Sequence, residues 1–77
     1  METKGTTINL TKDQSLVLFE LLSRLNVQYN SPVFEDQAEQ VVLWEIEGQL
    51  QKLLVEPFMP GYKDMLAGAR ERLRQKD

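Results

Sequence analysis

Apolar positions along the chain fall into one short alternating run and three helical ones, separated by clear breaks. Residues 6–10 (TTINL) alternate polar and apolar, with Ile8 and Leu10 on one side, and are rich in β-branched residues. This pattern predicts a short N-terminal β-strand. A lone strand leaves its backbone groups unpaired, so it needs a partner. Within the chain only residues 27–29 or 33–34 offer one, and the same segment of a second copy is the other solution.

From Thr11 the period changes to that of a helix. Thr11-Lys12-Asp13-Gln14 has the spacing of a capping box, with Thr11 as N-cap and Gln14 reaching back. Asp13 sits where the helix dipole favours an acid. The helix is predicted to run to about Leu25, with Val17, Leu18, Leu21, Leu22 and Leu25 as its stripe. Leu16 and Phe19 widen that stripe, and Glu20, Ser23 and Arg24 mark the wet side. Asn26 is expected to end it in a left-handed conformation. The next helix begins either at Ser31-Pro32 or later, near Asp36.

Residues 34–58 read as one long helix that is apolar on two faces. Its main stripe is Ala38, Val42, Ile46, Leu50 and Leu53, with Leu43 and Leu54 alongside; Val41 and Trp44 lie roughly opposite, with Gly48 between them. Such a helix must be covered on both sides. Within the chain, the first helix would cover one face, and the corner at residues 56–61 (EPFMPG), with Phe58 and Tyr62, would fold over the other. Pro57 and Pro60-Gly61 make that corner a helix stop. The last helix, Tyr62 to about Arg74, has a narrow stripe of Tyr62, Met65, Leu66, Ala69 and Leu73.

Composition narrows the function classes. The chain has 77 residues, enough for one domain spanning 1–77, with 1–5 expected to be disordered and 75–77 frayed. A core of this size rarely yields more than about 3–5 kcal/mol. Cysteine and histidine are both absent, which removes disulfides, thiolate or imidazole metal sites, and Cys or His nucleophiles. Regular helix packing and self-association remain as means of stabilisation. The start of the sequence has no apolar run of signal-peptide length, and no window approaches a membrane span. The expectation is a cytoplasmic protein with no membrane partner and no cofactor.

Net charge is −3, unevenly spread: residues 1–60 hold four Lys/Arg against nine Asp/Glu, and residues 61–77 hold five against three. The acidic excess makes nucleic acid an improbable partner for the domain as a whole. Glu35, Asp36, Glu39, Glu45, Glu47 and Glu56 are the acidic candidates. A catalytic pair needs two carboxylates converging on a pocket, and no spacing here points to one. Solvated acids near a helix N-terminus explain Glu35, Asp36 and Glu39. The basic end (Arg70, Arg72, Arg74, Lys76) lacks interleaved aromatics and matches a helix C-terminal dipole.

The candidate interaction residues are Val41, Trp44, Glu45, Glu47 and Gly48. Tryptophan is enriched in interface hot spots, and a glycine inside a helix costs roughly 1 kcal/mol against alanine, so it often marks close approach by another backbone. Ordinary coverage by the rest of the chain is the competing explanation.

The segments SLVLFELLSRL, FEDQAEQVVLWEIEGQLQKLLVEPFMPGY and AR-x-R-L together resemble a group of short bacterial hypothetical proteins. Those proteins share an LVLFELL helix, an FEDQAEQ segment leading into LW, and an LVEPF-x-P-x-Y corner. The resemblance spans about residues 8–74. It implies a complete small bacterial protein, and no particular activity, cofactor or site residue. The resulting expectation is a mainly α, compact three-helix domain with a short N-terminal β-strand. It is expected to act as a non-enzymatic protein–protein interaction module that self-associates, as a homodimer. Two alternatives are a small acidic inhibitor of a basic partner, of immunity or antitoxin type, and a nucleic-acid accessory protein using the basic helix end.

Overall fold

The computed structural model describes residues 5–27 and 32–75. The chain is mainly helical: α1 (Lys12–Leu25), α2 (Gln37–Leu53) and α3 (Tyr62–Arg74), with a 3-10 turn at Glu56–Phe58 between the last two. The capping box forms as the spacing predicts. The Gln14 N–H donates to Thr11 Oγ1 (3.1 Å) and the Thr11 N–H donates to Gln14 Oε1 (2.9 Å). At α2 the later start is the one taken. Asp36 is the N-cap and accepts from the Ala38 N–H at 2.7 Å, and Glu39 Oε1 reaches back to the Glu35 N–H at 2.9 Å. Gly61, at φ +80°, supplies the left-handed residue that turns the chain into α3. The alternative start at Ser31 lies outside the described residues, as do the expectations for residues 1–4 and 76–77.

α1 is the shared partner on which both other helices pack. The core consists of Leu16, Phe19 and Leu22 from α1, Leu50 and Leu54 from the end of α2, and Leu66 and Ala69 from α3. Val17, Leu18, Leu43 and Tyr62 seal its edges. The α3 stripe is therefore the expected one, and α1 contributes the most buried apolar side chains to the core. Two ion pairs clasp α1 from outside. Arg72 grips Asp13 through Nε (2.7 Å) and Nη2 (2.9 Å), and Lys12 Nζ meets Glu56 at 2.9 Å. The Arg72 guanidinium holds the Asp13 carboxyl below the usual carboxylate range, and the Lys12 ammonium does the same to Glu56.

Four expectations need correction. No strand forms among the described residues, and residues 5–10 run as exposed, irregular chain. Among the described residues the segment has no ladder partner: Val33 lies in a turn, and residues 28 and 29 fall outside the described chain. Asn26 is right-handed (φ −77°, ψ −7°), its N–H still bonded to the Leu22 carbonyl, because its side chain is held by α2 rather than by its own helix end.

The α2 stripe is rotated from the expected one. Leu43, Glu47, Leu50 and Leu54 face α1 and the core, Gln40 is buried, and Val42 and Leu53 are 51% and 76% exposed. Finally, the corner does not fold over Trp44. Phe58 is 67% exposed, and the end of α1 meets Trp44 instead.

Candidate functional site

Trp44 and Glu47 are drawn into a polar junction between α1 and α2. Glu47 accepts from Asn26 Nδ2 through Oε1 (2.6 Å) and from the Ser23 hydroxyl through Oε2 (3.0 Å). Asn26 Nδ2 also reaches the Leu43 carbonyl at 3.3 Å. The Trp44 indole N–H donates to the Asn26 carbonyl at 3.3 Å. Ser23 and Asn26 sit three residues apart on α1, so both reach one face of α2. The carboxylate of Glu47 accepts from the buried Asn26 amide and the half-buried Ser23 hydroxyl, and charged acceptors make the stronger bonds. One turn earlier on α1, Glu20 Oε1 accepts from the Tyr62 hydroxyl of α3 (3.2 Å); burial, then the Glu20 carboxylate, raises the Tyr62 pKa.

The five candidate residues are thus divided. Glu47 and the indole nitrogen of Trp44 are engaged within the chain. Val41 and Glu45 are exposed, and Trp44 keeps 39% of its surface open. Among the described residues nothing lies within 4 Å of where a Cβ would stand at Gly48, so no described backbone requires a glycine there. Gly48→Ala is therefore expected to raise stability by about 0.5–1 kcal/mol, read from urea unfolding of dilute protein. A destabilised variant would show that something packs on that turn.

Sequence reasoning missed Ser23 and Asn26, which it placed on the wet side and in a cap. It also assigned Val42, Ile46 and Leu53 to the core, although all three are exposed. With Gln49, Ile46 and Leu53 line a groove of about 540 Å³ whose other walls include Ile8 and Leu10 of the N-terminal stretch and Ser15 and Leu18 of α1. A signal was present: Val42, Ile46, Gln49 and Leu53 are spaced four, three and four residues apart, the repeat of a helix–helix seam.

Among the described residues, no group of three or more acidic, His or Cys side chains is placed to hold a metal ion, and no helix is long and apolar enough to cross a membrane. Compared with family models, with curated proteins and with solved structures, the chain matches none.

Proposed function

We propose that this chain is a non-enzymatic protein–protein interaction module that self-associates. One observation carries the reading: the single chain leaves too much apolar surface uncovered. Its accessible surface is 6324 Å², whereas a compact monomer of its mass exposes about 4,800 Å². The extended N-terminal stretch accounts for part of the difference, and exposed Val41, Val42, Trp44, Ile46 and Leu53 on α2 for more. The excess, about 1,500 Å², is larger than the roughly 800 Å² that each partner contributes to a standard interface. Apolar side chains exposed together on one helix edge, as Val42, Ile46 and Leu53 are, mark interaction surfaces.

The internal use of charge favours a second copy over a basic or nucleic-acid partner. Glu47 and Glu56 on the acidic side already hold Asn26, Ser23 and Lys12. Arg72, at the centre of the basic end, is spent on Asp13. The bacterial setting we propose rests on the sequence resemblance, and the cytoplasm on the apolar pattern of the sequence. Sedimentation equilibrium tests the reading: at about 50 μM the expected mass is twice 8.9 kDa, and melting should shift upward with concentration. A single 8.9 kDa species throughout that range sinks it.

A further inference from the structure

We propose that α2 pairs antiparallel with α2 of a second copy along Val42, Ile46, Gln49 and Leu53, closed on one flank by reciprocal Glu45–Lys52 ion pairs. This rests on the self-association reading and specifies its surface. The four seam residues follow the 4-3-4 spacing that keeps one edge of a helix facing a partner over three turns. The chain itself leaves that edge open. Val42, Ile46, Gln49 and Leu53 are exposed, while the edge beside it, Leu43 and Leu50, packs on α1.

The seam is nearly symmetric about its own midpoint, between Ile46 and Gln49. A two-fold axis there sets Val42 opposite Leu53 of the second copy and Ile46 opposite its Gln49. Each copy presents the same patch to the other, as a closed dimer requires. Gln49 beside the axis costs stability relative to an apolar residue, and a polar seam residue is the device that fixes register. Ile46, Gln49 and Leu53 themselves form one wall of the groove, and Ile8 and Leu10 on another give the second helix further apolar surface to cover.

Charge selects the orientation. Glu45 and Lys52 flank the seam on the side away from α1. They stand seven residues apart, roughly 10.5 Å along the helix, too far to pair with each other. Neither makes an ion pair among the described residues. In the antiparallel arrangement this flank meets the same flank of the second copy, which brings Glu45 beside the other Lys52 twice over. In a parallel arrangement the flank instead meets Leu43 and Leu50 of the second helix, which carry no charge and are already covered by α1.

The test is a charge-reversal cycle on the full chain, read as the dimer dissociation constant by sedimentation at low salt. Glu45→Lys and Lys52→Glu are each expected to weaken the dimer about tenfold or more, because each places like charges together at two symmetric points. The double variant should return to within a few-fold of the parent. Both side chains are exposed, so circular dichroism should show unchanged helix content. A second readout fixes the direction. The chain has no cysteine, and a mixture of Val42→Cys and Leu53→Cys chains should form a mixed disulfide faster than either chain alone.

A double variant as weak as the singles, or singles as tight as the parent, overturns the ion pairs. Preferential self-crosslinking of each single-cysteine chain overturns the antiparallel order. A dimer indifferent to all these changes ends this inference and leaves self-association standing, whereas a monomeric parent ends both.

Discussion

Leu22→Ala is expected to unfold most of the protein at 25 °C, whereas Leu21→Ala, one position away, should leave it folded. Leu22 is 2% exposed, in the core cluster that α1 shares with the end of α2 and with α3. Truncating a buried leucine removes its transfer free energy and leaves a cavity, which together cost about 2–5 kcal/mol. The whole core has only seven buried apolar residues among those described, and a domain of this length holds roughly 3–5 kcal/mol in all. The loss is therefore of the same size as the total. Leu21 is exposed, and its truncation should cost under about 1 kcal/mol. Far-UV circular dichroism with urea titration separates the two. A Leu22→Ala protein with the parent's urea midpoint would show that the three helices do not share one cooperative core.

The contrast between Leu21 and Leu22 also shows how far the sequence could be read. Hydrophobic periodicity identified α1, α2 and α3, and the Thr11–Gln14 box placed the start of α1 to the residue, because capping is local chemistry written in adjacent side chains. Periodicity was weaker at saying which of several apolar residues on one helix face inward. α1 carries leucine or valine over most of its circumference, so the pattern admits several stripes. The choice is made by where α2 and α3 lie, which is not a local property. α3, with a single narrow stripe, offered no such choice and was read correctly.

α2 was misread for a different reason. Ranking faces by hydrophobicity favours Val42, Ile46 and Leu53, yet the face against α1 contains Glu47. A buried polar residue is tolerable only where partners meet it. The partners of Glu47 are Ser23 and Asn26, more than twenty residues away in sequence, so the pattern within α2 could not reveal them. The two-faced character of the helix was legible, and its direction was not. Trp44 stands at the boundary. Its indole N–H is held by α1, as intramolecular coverage requires, while part of its ring and all the outer seam stay open.

Glu47→Ala is accordingly expected to cost about 2–3 kcal/mol, and Glu45→Ala, two residues earlier on the same helix, under about 0.5 kcal/mol. Removing the Glu47 carboxylate leaves the buried Asn26 amide with only the long contact to the Leu43 carbonyl, and leaves the Ser23 hydroxyl without that acceptor. Each stranded donor keeps its desolvation cost without the bond that offset it. Glu47→Gln should recover most of the loss, since the amide oxygen can accept from Asn26 and the amide nitrogen can donate to the Ser23 oxygen. Trp44 is the only tryptophan in the chain, so its emission reports the junction directly. It should shift to the red in Glu47→Ala, as Asn26 and its carbonyl loosen from the indole, and stay near the parent's in Glu45→Ala. Equal costs for the two alanine variants would mean that the α1–α2 contact is held by leucines alone. The larger cost at Glu47 would place a specific polar junction, rather than apolar area, in control of how α2 rotates on α1 and so of which edge it turns outward.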